Sequence, residues 1–149
     1  AAQAKVSYAL PYPGVLPDHP LYILKRVRDY ILEQVIAEPV KKAEFYILQG
    51  DRRLQMGVLL TASGKQELAE TTISKGEKYM EKAVAVLIEH QKTGNTVPKY
   101  VADHLQLSLA KHEEMLSEML PVAPDGQKNG LTESLTRVRQ SIELAKELQ

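Results

Sequence analysis

Proline and glycine stand at the seams of this chain. Pro39, Gly64, Gly94 and Pro121 lie between runs in which apolar residues recur every three or four positions. Helix breakers placed between helical repeats punctuate a set of separate helices. The first run holds Leu21, Leu24, Val27, Ile31 and Val35, with Pro20 at its first helical position, Asp18 or His19 near its cap, and an end near Glu38. Pro39 opens a second helix, where Val40, Ala43, Ile47, Leu54 and Val58 keep the spacing to about Ala62 before Ser63-Gly64 stops it. From Lys65 the sequence Ala69, Ile73, Gly76, Met80, Ala83, Leu87 and His90 steps by four and three, the narrow seam of antiparallel bundles. Thr96 caps a fourth helix with Pro98 in its first turn, and Val101, Leu105, Leu109, His112, Leu116 and Met119 share one face of it. The last run carries Leu131, Leu135, Val138, Ile142 and Ala145, and starts between Pro124 and Asn129. No stretch alternates apolar and polar residues for the length of a strand. The reading is all-α: an antiparallel bundle of four to five helices over residues 21–149, with short connections.

Residues 1–20 are different. Pro11, Pro13, Pro17 and Pro20 crowd one stretch and forbid a helix there, so residues 5–20 form an extended arm rich in proline and tyrosine. Tyr8, Tyr12, Val15 and Leu16 on it are expected to pack against the bundle, because each large side chain left in water forfeits about 1.5–3 kcal/mol of burial.

Composition removes whole classes of function. Lys and Arg number 19 and so do Asp and Glu, so there is no overall field to attract nucleic acid. Without cysteine there is no disulfide, thiolate metal site, iron-sulfur cluster or Cys nucleophile. No window reaches the roughly 18 apolar residues of a membrane span. Ala1-Ala2-Gln3-Ala4 has the small residues found around signal-peptidase sites; a processed end would place the protein outside the cytoplasm, and an arbitrary end reads equally well.

Two segments then read as a signature: Leu16-Pro17-Asp18-His19-Pro20-Leu21-Tyr22-Ile23-Leu24-Lys25-Arg26, and Glu38-Pro39-Val40-Lys41-Lys42-Ala43-Glu44 leading to Asp51-Arg52-Arg53-Leu54. Together they resemble an uncharacterised bacterial family of helical domains, a domain of unknown function in exported or membrane-anchored proteins, with an opening like Leu-Pro-Gly-Ser-Pro-Leu-Tyr. The resemblance spans roughly residues 14–90 and departs at Asp18-His19, where the family has Gly-Ser. It implies an extracytoplasmic helical module and carries no functional residue over.

The residues that bear chemistry do not assemble into a known site. The positions three before His90, His104 and His112 are Leu87, Val101 and Leu109, so the Glu-x-x-His pairs of carboxylate-bridged metal bundles are missing. His104 and His112 stand about 12 Å apart along a helix, too far to share an ion. His112 lies on the apolar stripe and reads as a core or half-buried histidine with one hydrogen bond; in the absence of a carboxylate partner, burial is expected to pull its pKa below the ordinary 6.5, a shift that Glu113, Glu114 or a carboxylate of a neighbouring helix would reverse. His90 reads as a helix-end residue suited to the negative end of the dipole.

Asp125-Gly126-Gln127-Lys128-Asn129-Gly130 resembles the front of a calcium loop, but Thr136 stands where the bidentate Glu belongs, so the segment reads as a connector or a first helical turn. Lys25, Arg26, Arg28, Lys41, Lys42, Arg52 and Arg53 interleave with Asp29, Glu33, Glu38, Glu44 and Asp51, the pattern of solvated helix faces laced with intrahelical pairs, with an anionic surface or polymer partner as the alternative. No nucleophile elbow, phosphate-cradling loop or dinucleotide fingerprint occurs.

The expectation is a non-enzymatic module without catalytic residues, cofactor or metal, presenting surfaces to a protein or cell-envelope partner. The rival reading is a small-ligand or metal-binding bundle with its site near His112 and the tyrosines. Gly50, Gly57, Gly76 and Ala83 would then supply space, or else close helix contact.

Overall fold

The Glu38 carboxylate accepts the backbone N–H groups of Val40 and Lys41, each at 2.9 Å, and Pro39 follows it at the position where a missing N–H costs nothing. That cap starts a helix of 24 residues. The structure, a computed structural model, describes residues 5–148. Its helices are α1 (Tyr22–Val35), α2 (Pro39–Ala62), α3 (Gln66–Lys92), α4 (Lys99–Met119) and α5 (Asp125–Ala145), with a 3-10 turn at Leu120–Val122. There is no strand among the described residues. The ends of α2 and α3 are sealed by Gly64 and Gly94, whose φ values of 77° and 89° let the following N–H groups turn back onto Leu60 and His90 carbonyls.

Helices α2 and α3 form one antiparallel hairpin, α4 and α5 another. Gln91 reaches the Glu147 carbonyl and Arg137 pairs with Glu81, so α5 runs alongside α3 in the same direction; Asp51 meets Ser108 and His112 on the other side, so α2 and α4 also run together. Two apolar clusters fill the interior. The larger is built around Ile47, Met80, Leu87, Leu105 and Leu109, the smaller around Leu54, Ile73, Leu116, Leu131 and Leu135. Three glycines face the α2–α3 contact. A Cβ on Gly50 would lie 2.5 Å from Met80 Sδ and 3.1 Å from the Gly76 carbonyl oxygen, and one on Gly57 would lie 2.3 Å from Ile73 Cγ1. These small residues bring the helix backbones together; Ala83 beside them is fully buried.

The first helix departs from expectation. It starts at Tyr22, two residues after Pro20, and its start is steadied by the His19 ring, whose Nδ1 accepts the Leu21 N–H at 3.1 Å. It ends at Val35, short of Glu38. The stripe Leu21, Leu24, Val27, Ile31 and Val35 is exposed, so the bundle proper is α2 to α5 and α1 lies outside it. Thr96 does not cap α4; Pro98 occupies the cap position and α4 has no side-chain cap.

The arm is divided. Tyr8 reaches inward, Leu10 packs on the smaller cluster and Pro13 is buried, whereas Tyr12 and Val15 stand in water. Leu16 beyond them is half-buried, so burial holds the arm at intervals along its length.

Candidate functional site

Helix α1 wears its faces the other way round from a bundle helix. At 3.6 residues per turn, Tyr22, Arg26, Asp29, Tyr30 and Glu33 line up on one side and Leu24, Val27, Ile31 and Val35 on the opposite side. The polar side faces the bundle. Glu33 accepts from the Tyr46 hydroxyl of α2 at 3.1 Å and from Lys82 of α3 at 3.2 Å, and Asp29 is buried. Lys25 donates to the Pro13 carbonyl oxygen of the arm at 2.5 Å. The apolar side is left uncovered: Leu24 is 67% exposed, Val27 52%, Ile31 54% and Val35 71%. The larger part of the exposed large hydrophobics among the described residues sits on residues 21–35, so this is a contiguous strip and not the scatter normal to any surface.

Between the two apolar clusters lies a buried polar layer. His112 of α4 has no exposed surface, and both its ring nitrogens meet carboxylates: Nε2 lies 2.9 Å from Asp51 Oδ1 and Nδ1 lies 2.7 Å from Glu77 Oε1. A carboxylate accepts only, so both nitrogens must donate, and the ring is an imidazolium. Asp51 is further satisfied by the Ser108 hydroxyl at 2.6 Å and by the Tyr8 hydroxyl, which in turn accepts from His104 Nε2 at 2.8 Å. Glu77 Oε2 is buried without a hydrogen-bond partner.

The expected fall in the His112 pKa is therefore overturned. Burial does pull it down, but the charge of Glu77 and the hydrogen bonds the ring donates to both carboxylates outweigh burial and carry it up to about 10. The missing partners came from α2 and α3. Tyr8 is pushed well above the ordinary tyrosine value by burial and by Asp51. All of this holds the ring in place and fills the space around it. Among the described residues no group of three or more His, Asp and Glu is arranged to hold a metal ion.

The other singled-out residues scatter. His90 lies in the last turn of α3, as its position suggests, and Asp125–Gly130 form the first turns of α5. The basic residues of α1 and α2 are not laced into solvated intrahelical pairs. Arg28 does pair with its neighbour Asp29 at 2.8 Å, but Arg53 is buried, and Asp29 and Asp51 are buried with it. Arg26 and Arg53 instead meet Lys75, Lys78 and Lys82 of α3 around one cleft. The sequence reading passed over those three lysines, although 75, 78 and 82 are helical spacing and mark a one-sided basic stripe.

No helix among the described residues is long and apolar enough to cross a membrane. No curated protein and no solved structure matches the chain. A family model does match it, over residues 14–125, from before α1 to the start of α5. Its description is a domain of unknown function, DUF5667, and with most of its length matched this chain belongs to that family.

Proposed function

We propose that the chain is a non-enzymatic interaction module working outside the cytoplasm, and that α1 is its docking element for a partner protein. The observation that carries the reading is the uncovered apolar side of α1. A strip of Leu24, Val27, Ile31 and Val35 held on a formed helix is the pattern of an amphipathic helix that lays its apolar face into a partner's groove. The polar side is fixed to the bundle through Glu33, so the helix is already ordered and binding need not pay to form it. A protein groove suits the strip better than an anionic membrane. The cations at its margins are occupied, Lys25 by the Pro13 carbonyl and Arg28 by Asp29, which leaves few free charges there for headgroups. The polar layer around His112 supports a structural role for that histidine, since its ring is enclosed and both nitrogens are taken.

The test is site-specific photo-crosslinking in the organism that makes the protein. A crosslinker at Leu24 should give one discrete protein adduct; the same group at the exposed Glu133 of α5 should not. Val27→Asp with Ile31→Asp should abolish the adduct while leaving the fold intact. Lipid adducts at position 24, or a protein adduct indifferent to the double substitution, would overturn the assignment. Fractionation of the same cells checks the compartment, and recovery with the cytoplasmic fraction would contradict it.

A further inference from the structure

Behind the polar side of α1, between it and helices α2 and α3, lies a cleft of about 300 Å³, at the small end of ligand pockets. Five cationic side chains line it, Arg26, Arg53, Lys75, Lys78 and Lys82, against two carboxylates, Asp29 and Glu33. Both carboxylates are already engaged. Asp29 Oδ1 takes the Nε and Nη2 donors of Arg28, and Glu33 Oε1 takes Lys82 and the Tyr46 hydroxyl. Arg26, Arg53, Lys75 and Lys78 are left with no ion pair among the described residues.

Arg53 is the most telling of these. It is 5% exposed, its Nε is buried without a partner, and its one hydrogen bond to a side chain runs from Nη1 to Gln49 Oε1 at 3.1 Å. Its guanidinium carbon sits 4.8 Å from the centre of the Tyr79 ring, a contact that holds the planar fork in place without using its donors. A buried guanidinium with an idle donor is costly unless something neutralises it. The neighbours make the cost larger: burial lowers the Lys75 pKa, and Arg26, Arg53 and Lys78 lower it further. An anion in the cleft relieves all four charges together.

We propose that this cleft binds a compact, multiply charged phosphoryl anion from solution, with Arg53 as its buried anchor and Arg26, Lys75 and Lys78 closing around it. Arginine supplies the planar fork that matches phosphate oxygens, and the lysines supply point charges that need no fixed direction. A single carboxylate would leave most of that charge unanswered. The proposal is independent of the apolar side of α1, which points the other way.

Isothermal titration with pyrophosphate at about 0.15 M NaCl tests it, an ionic strength at which loose surface attraction is screened. The expected result is one site per chain, with a rise in melting temperature on adding pyrophosphate. Lys75→Gln with Lys78→Gln, both at exposed positions without ion-pair partners, should fold normally and weaken binding at least tenfold. Arg53→Gln should abolish it, its fold being checked by melting without pyrophosphate. Absent binding, affinity unchanged in the lysine double variant, or equal affinity for sulfate and chloride would overturn the site. Recruitment to phosphatidylcholine vesicles doped with phosphatidic acid, without pyrophosphate binding, would overturn a soluble ligand.

Discussion

Raising the pH from 6.5 to 8 should make this protein less stable, and the reason is His112. Its unfolded imidazole loses its proton near 6.5, whereas the folded ring between Asp51 and Glu77 keeps it to about 10. A raised folded pKa means that the stabilisation is fully present below the unfolded value and drains away as pH climbs toward the folded one. In the draining range the folded state holds one proton more than the unfolded state, and the slope approaches about 1.4 kcal/mol per pH unit. Integrated from 6.5 to 8, that amounts to about 1.6 kcal/mol, measurable against a typical domain stability of 5–15 kcal/mol.

The window stops at 8 because Lys25 intervenes there. Burial pushes its ammonium down to about 8, so from about pH 7 upward it contributes a trend of the opposite sign, which, screened by solvent, offsets no more than about 0.4 kcal/mol of the loss by pH 8 and grows above it. Urea unfolding at pH 6.5, 7.2 and 8 gives the slope directly. The triple variant Asp51→Asn, Glu77→Gln, His112→Gln removes the titrating set together and should flatten the curve. Wild-type stability that is constant or rising across this window would refute the ion triad. So would an undiminished slope in the triple variant.

Other substitutions follow from the same geometry. His112→Gln alone should cost about 3–5 kcal/mol at neutral pH, because it leaves two buried carboxylates without their cation; a melt no lower than wild type would contradict it. Tyr8→Phe takes a donor from buried Asp51 and should cost about 1–3 kcal/mol by urea unfolding, with no loss expected if the arm were detached. Gly50→Ala should cost about 1–3 kcal/mol, since the new Cβ meets a backbone carbonyl oxygen as well as Met80. Val27→Ser with Ile31→Ser should stay within about 1 kcal/mol of wild type, because both side chains are more than half exposed.

Most of the helices were legible because periodicity and breakers agree: Pro39, Gly64 and Gly94 stand where α2 and α3 begin or end. The position of α1 was not, since an apolar stripe says that a face wants burial and not what buries it. Here Glu33, opposite the stripe, found Tyr46 and Lys82, and the stripe stayed outside. The polar layer was half legible. Asp51 falls in register between Ile47 and Leu54, Glu77 between Ile73 and Met80, and His112 between Leu109 and Leu116. Three titratable residues at core positions of three helices announce a buried cluster, but only a fold shows that they meet at one level. The cationic cleft joins residues from α1, α2 and α3 that are far apart in sequence, and interleaved acids on α1 and α2 masked its charge.

Thiol labelling reads directly which side of α1 faces water. The chain has no cysteine, so each introduced one is an unambiguous reporter. Single variants Leu24→Cys, Val27→Cys and Ile31→Cys should react with a maleimide at rates close to that of a free thiol, and Leu109→Cys in the core should be protected in the folded protein. Protection at positions 24, 27 and 31 in the isolated protein, with Asp29→Cys reacting freely, would mean that α1 packs its apolar side inward. That result would contradict both the docking face and the cleft behind it.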